Sequence, residues 1–173
     1  MTKKLTILMF AMMMALTASA QFEQGKKYIS ASFSGLDLNY NGTSEFSVGF
    51  EAKGGYLVED NLMVLGTLGY NHIGGDDITP DRFSIGAHGR YYIIQNGIYL
   101  DAGATYKHGN HSYNDFMPSV QVGYAFFVSR TVTIEPELYY EQSFKNHKDF
   151  STVGLRIGIG VYLFKDTYKN IVK

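Results

Sequence analysis

The chain contains no cysteine. That excludes a disulfide framework, and it leaves no thiol near the N-terminus to carry a lipid anchor. Proline occurs only three times, and no Pro-rich, Ser-rich or low-complexity linker divides the chain. Positive charge is not in excess: 15 Lys and Arg stand against 16 Asp and Glu, a formal net charge of −1. This is not the basic field of a nucleic-acid binder. Beyond residue 20 no apolar run approaches the roughly 20 residues of a membrane-spanning helix. The glycine-containing "GIGVYL" (158–163) does not match a phosphate-binding loop.

The first 20 residues are of a different kind. Lys3 and Lys4 precede an apolar stretch from Leu5 to Leu16, and Ala18-Ser19-Ala20 forms a small-residue cleavage site. This is the layout of a secretory signal peptide, so cleavage is expected before Gln21. Loss of Lys3 and Lys4 takes the formal charge from −1 to −3. About 150 residues then remain, enough for one domain. Nineteen Gly, fourteen Tyr and twelve Phe favour strands over helices.

Hydrophobic alternation sets the architecture. In "EFSVGFEAKGGYLVEDN" (45–61), Phe46, Val48, Phe50, Ala52, Gly54, Tyr56 and Val58 form an unbroken apolar row. The opposite row carries Glu45, Glu51 and Lys53. Period-two alternation places these rows on opposite faces of a strand. Similar segments span roughly 27–38, 62–72, 82–94, 98–107, 116–128, 132–144 and 152–164. The first is irregular, because Leu36, Leu38 and Tyr40 change parity; a bulge near Gly35 would account for that. Short connections, "EDN" (59–61), Asn96-Gly97 and "SRT" (129–131), alternate with longer polar ones at 39–44, 72–81, 108–115 and 145–149. Asn96-Gly97 suits a two-residue type I′ turn.

Eight alternating segments with short turns at one end and long loops at the other are expected to form an all-β, eight-stranded antiparallel up-and-down transmembrane β-barrel. Its domain would cover 21–164, followed by a short periplasmic tail at 165–173. Tyr and Phe near the strand ends, Tyr28, Tyr40, Phe46, Tyr56, Tyr70, Phe83, Tyr91, Tyr99, Tyr106, Phe116, Phe144 and Phe164, would form aromatic girdles. A secreted sandwich or soluble barrel would instead need polar outward residues on segments 2, 4, 5 and 8.

Charge within the segments falls almost wholly on the non-lipid parity. Eight strands leave an interior that side chains can fill, and charges there should pair. An ionic layer is expected from Glu51, Lys53, His88, Arg90, Asp101, Glu135, Glu137 and Arg156, with Glu45, Arg82, Lys107 and Glu141 on the same parity. With Asn96-Gly97 as the turn, Arg90 would lie diagonal to Asp101. Nearer the periplasm, Leu57, Met63, Leu65, Tyr92, Ile94, Tyr99, Phe127 and Tyr162 would form an apolar, aromatic plug. The lumen is therefore expected to be closed.

The signal peptide ending "ASA-QFEQGKKY", the strand "YISASFSGLDL" and the closing strand "LRIGIGVYLF" resemble those of the outer membrane β-barrel domain family, the small OmpA/OmpX-type barrels and above all their Bacteroidota members. The resemblance covers residues 21–164. It implies a Gram-negative outer-membrane location, lipid or lipopolysaccharide contact and delivery by the barrel-assembly machinery. It also implies a role in envelope integrity, surface interaction or small-solute passage. Arg156, Gly158, Val161 and Leu163 look like the assembly signal of such barrels. The tail "KDTYKNIVK" departs from the pattern and is too short for a peptidoglycan-binding domain.

Other chemistry is weakly indicated. His108, His111 and Asp115 could be drawn into a metal site, and Asp76, Asp77 and Asp81 into a Ca²⁺ site, but loop polarity accounts for both. Glu135 and Glu137 follow from lumen packing. No Ser-His-acid set converges on the lipid-facing or loop side. The expectation is a non-enzymatic monomer without metal or cofactor and without nucleic-acid partners. A narrow transporter of small or apolar solutes is the alternative, and a lipid- or peptide-modifying enzyme the third reading.

Overall fold

Alternation is expressed throughout the backbone. The computed structural model describes residues 21–39, 44–45, 47–73, 81–93, 97–109, 113–145, 147 and 151–163. Ten strands appear: β1 (Lys27–Asn39), β2 (Ser44–Glu45), β3 (Ser47–Glu59), β4 (Leu62–Ile73), β5 (Asp81–Tyr92), β6 (Ile98–Gly109), β7 (Tyr113–Tyr124), β8 (Phe126–Phe127), β9 (Val132–Glu141) and β10 (Thr152–Leu163). Two of them are pieces of longer staves. β2 pairs β1 ahead of β3. β8 resumes β7 after Ala125 without changing register against β9: Gly123↔Glu137 is followed by Phe126↔Ile134.

The eight staves pair in chain order, all antiparallel, and β10 returns to β1 from Lys27↔Leu163 to Asn39↔Thr152. The result is a closed eight-stranded antiparallel barrel with no free sheet edge. No helix among the described residues is long and apolar enough to cross a membrane; the strands are the candidates for that role.

The β1–β10 register shifts between Ser34 and Leu36, so Gly35 is the extra residue of a bulge. The shift sets Leu36 and Leu38 opposite the outward-facing Leu155 and Val153. This resolves the parity change in the first segment. The β3–β4 turn is tight, with Asn61 at φ 67° and a register shift between Leu57 and Glu59. That is a three-residue hairpin with an Asx residue in the left-handed position.

The β5–β6 hairpin differs from the two-residue turn read from Asn96-Gly97. The Ile93 amide donates to the Ile98 carbonyl at 2.8 Å, and Arg90 pairs directly with Asp101. Ile98 therefore faces Ile93 rather than Gln95, two residues earlier on the preceding strand than an Asn96-Gly97 turn requires. The two registers differ by two residues, which preserves every side chain's face, so alternation could not distinguish them. Packing does. In the observed register Gly103 sits opposite His88, and a β-carbon on Gly103 would lie 2.6 Å from the His88 ring and 2.3 Å from the Ala87 carbonyl.

Outside, Ile29, Phe33, Phe50, Leu68, Ile85, Leu100, Val120, Leu155 and Ile157 are exposed; inside are Lys53, Arg90, Asp101, Glu135, Glu137 and Arg156, with Tyr28, Tyr92, Tyr99, Tyr139 and Tyr162. Of the girdle residues, Tyr56, Tyr70, Phe83, Tyr91, Tyr106, Phe116 and Phe144 do face outward. Tyr28 and Tyr99 do not: both are buried in the lumen. Their hydroxyls find carboxylates there, which compensates the buried O–H groups. Tyr40, Phe46 and Phe164 lie outside the described residues, as do the predicted signal peptide and tail.

Candidate functional site

The lumen is built in two layers. The lower layer is made by aromatic and aliphatic residues at the β3–β4, β5–β6 and β8–β9 turns and where the start of β1 meets the end of β10. Leu57, Met63, Leu65, Tyr92, Tyr99, Ala125 and Tyr162 form one buried cluster with Tyr28 and Phe22, and Phe127 packs against it. Ile94 lies outside the described residues. Phe22 is unanticipated. It precedes β1, yet it is fully buried and stacks on Tyr92 at 3.7 Å with planes 9° apart. Tyr162 and Phe127 flank the same ring, with centroids 5.6 and 5.7 Å away. The Tyr92 and Tyr162 hydroxyls are 2.6 Å apart.

Above this floor sits Arg90, with no exposed surface. Its Nε donates to Asp101 Oδ2 (3.2 Å), Nη1 to Glu135 Oε2 (3.0 Å) and Nη2 to Glu137 Oε2 (3.3 Å). The guanidinium lies 3.9 Å from the Tyr99 ring centroid, a cation–π distance. β5 places Arg90 opposite Asp101, while β9 brings both glutamates across the lumen.

Glu137 is the junction of the network. It accepts from Lys53 Nζ at 2.9 and 3.0 Å, from Arg156 Nη1 at 2.9 Å and from the Tyr99 hydroxyl at 3.1 Å. With its amide turned to satisfy both ends, Gln121 donates to it as well, at 2.8 and 3.1 Å. Arg156 also donates to Glu51 at 3.0 Å and lies over the Tyr139 ring. Glu135 accepts from Tyr28 (2.6 Å), Thr133 (2.7 Å) and Tyr162 (3.3 Å). His88 Nδ1 is 3.0 Å from Asp101, and its Nε2 is 3.4 Å from Thr105.

The structure thus brings all eight residues of the predicted ionic layer into one connected cluster. Lys107 and Glu141 form a further pair at 2.5 Å. The cluster is asymmetric in access. The Lys107 and Glu51 side chains keep 21% and 16% of their exposure, while the floor below Arg90 is sealed.

Close packing explains several inward glycines. A β-carbon on Gly123 would lie 2.4 Å from the Tyr99 ring, and one on Gly103 would meet Ala87 and His88 as above. Gly103→Ala is expected to cost about 1–3 kcal/mol by overpacking. Gly54→Ala, where nothing lies within 4 Å, should be near neutral. Chemical unfolding midpoints of the two variants in lipid vesicles check the contrast.

Among the described residues the other candidate chemistry does not come together. His108 faces outward and its Nδ1 is 2.6 Å from Asn114 Oδ1, whereas Asp115 faces inward and accepts from the Ser143 hydroxyl. Among the described residues no group of His and acidic side chains could hold a metal ion. His111, Asp76 and Asp77 lie outside the described residues, and nothing is described of the Asp81 side chain. Of the assembly-signal residues, Arg156 and Gly158 face the lumen and Leu163 faces outward, while Val161 is half-buried. Nothing in the alternation singled out Phe22; a six-residue segment before a strand carries no periodicity.

An apolar exterior around an ion-paired interior defines a membrane β-barrel of the small, filled type. The model of the outer membrane protein beta-barrel domain matches residues 6–167, and the chain belongs to that family. No protein of curated function matches it in sequence. Solved structures share its fold. Neisserial surface protein A has a TM-score of 0.59 at 18% identity, covering 80% of this chain and 97% of that one. The N-terminal β-barrel domain of Pseudomonas aeruginosa OprF gives 0.57 at 13%, over 81% and 98%. The Yersinia pestis outer membrane protein Ail gives 0.55 at 16%, over 81% and 100%. At these identities the likeness is one of fold.

Proposed function

We propose that this outer-membrane barrel is a closed, non-enzymatic structural or surface-interaction protein rather than a channel. The carrying observation is the fully buried Arg90 tied to Asp101, Glu135 and Glu137 above a sealed aromatic floor. A solute would have to break several buried ion pairs to pass, and each broken pair would leave an uncompensated charge. What the barrel offers to its surroundings is then its lipid-facing wall and its rim. Outer-membrane lipid or lipopolysaccharide is the proposed environment. A monomer is the proposed state, and the barrel-assembly machinery the proposed route, with Arg156, Gly158, Val161 and Leu163 on β10 as its signal.

Purified protein in a planar lipid bilayer is expected to give no stable single-channel steps. Long-lived openings of uniform conductance would overturn the closed-lumen reading in favour of a narrow transporter. The orientation of the wall has its own test. Ile157, outward and exposed near the middle of β10, should tolerate Leu but not Lys. Ile157→Lys is expected to cost about 2–4 kcal/mol in vesicles if it lies at bilayer mid-depth. The measurement is the shift in urea midpoint; no shift would mean that this face does not meet lipid.

A further inference from the structure

The ring of Phe22 is held as a ligand is held. One face stacks on Tyr92 at 3.7 Å, and Tyr162 and Phe127 present their rings around it. Leu57, Met63, Leu65 and Ala125 belong to the same buried cluster. Yet Phe22 belongs to no strand. It is carried by the arm Gln21–Lys26, which is fastened to the β3–β4 hairpin. The Asn61 amide donates to the Phe22 carbonyl (2.8 Å), the Gly25 amide to the Leu57 carbonyl (2.8 Å) and the Gln24 amide to Asp60 Oδ1 (2.8 Å). The Gln24 side chain adds a bond to the Val58 carbonyl (2.8 Å). The barrel wall therefore makes a ring-shaped receptor, and a short arm ahead of β1 fills it.

We infer that the floor of the lumen is a binding site for a single planar aromatic ring, and that Phe22 is its exchangeable occupant in cis. The physical case has three parts. Stacked and edge-on ring contacts favour an aromatic occupant over an aliphatic one of similar volume. A buried void of that size, once emptied, is apolar and takes apolar guests. With cleavage before Gln21 the arm is the chain's N-terminus, and a terminal arm held by a few hydrogen bonds opens at lower free energy than the strands it rests on. The site accepts an aromatic solute or an aromatic side chain of another polypeptide whenever the arm withdraws. It does not require passage through the barrel, because the Arg90 layer above it stays closed. A silent bilayer recording therefore leaves this inference standing.

The test uses the full barrel, ¹³C-labelled at methionine methyls, with N-acetylphenylalaninamide as the probe and N-acetylleucinamide as the control. Met63 lies in the floor; Met117, buried but outside that cluster, is the internal reference. In Phe22→Ala the phenylalanine probe is expected to shift the Met63 methyl saturably and leave Met117 unmoved. The parent protein should show the same shift only at about tenfold higher probe concentration, since its competent fraction is small. Phe22→Leu, which refills the space without a ring, should respond between the two. Heat-modifiable migration of each variant establishes that the barrel is folded. A folded Phe22→Ala barrel whose Met63 ignores the probe overturns the inference, as does an equal response to the leucine control. If Phe22→Ala does not fold, the Phe22→Leu titration decides alone: no response to the phenylalanine probe overturns it.

Discussion

Arg90→Met is expected to lower the stability of the barrel by about 3–5 kcal/mol, the cost of removing one partner from a buried ion-pair network. The methionine fills much of the same volume, so the loss is electrostatic rather than a cavity. Asp101, Glu135 and Glu137 would all lose a donor to the same cation. Asp101 keeps His88, and Glu135 keeps Tyr28, Tyr162 and Thr133, all as hydrogen-bond partners. Only Glu137 keeps fixed cations, Lys53 and Arg156. Urea unfolding in vesicles, followed by heat-modifiable migration, measures the change. A loss below about 1 kcal/mol would mean that water reaches the site and screens it. Arg90→Lys should recover part of the stability, since an ammonium keeps the charge but not the three-way fork.

Glu137→Leu is the complementary experiment, and a loss of similar size is expected. Here the stranded groups are cations. Lys53, Arg90 and Arg156 converge on one carboxylate, and without it they repel one another across a narrow lumen. Asp101 and Glu135 would still hold Arg90, at 3.2 and 3.0 Å, whereas Lys53 and Arg156 would share Glu51 alone, at 3.3 and 3.0 Å, so the greater damage falls on Lys53 and Arg156. The double variant Arg90→Met/Glu137→Leu makes the argument quantitative. It should be more stable than the sum of the single losses by about 0.5–3 kcal/mol, because residues of one network are not independent. Strict additivity would show that the two side chains do not share a network. If both single variants retain a silent bilayer recording, the floor alone suffices to close the barrel.

Much of this was readable in the residues, because a barrel wall obeys a period-two rule that survives almost any local disturbance. Parity alone placed Glu51, Lys53, His88, Arg90, Asp101, Glu135, Glu137 and Arg156 on the lumen side. What parity cannot encode is register. A slip of two residues keeps every face, so the direct pairing of Arg90 with Asp101 needed the packed structure. Position near a strand end, unlike parity, does not distinguish a tyrosine at the rim from one in the lumen, which is why Tyr99 stood in both the girdle and the plug. Tyr28 and Tyr99 go inward because the hydroxyl of each reaches a glutamate on β9, a contact made across the barrel between residues far apart in sequence. Phe22 was hidden for a different reason. Its partners are set by the three-dimensional mouth of the barrel, and the arm that bears it has no repeating pattern. The bulge at Gly35 was readable because it breaks the rule, and a break in an otherwise regular pattern is itself a signal.

The seam between β1 and β10 has a temporal consequence. The two strands that close the ring are the first and the last, so the nascent chain carries one half of the seam long before the other exists. Until β10 arrives, β1 and β9 each present an unpaired row of backbone donors and acceptors. The half-built sheet also lacks Arg156 and Tyr162, two members of the lumen network and floor. Closure and charge balance are thus delivered by the same twelve residues, at the same moment. A chain that lacks β10 is an open sheet with two unpaired edges, the kind of species most exposed to misassociation.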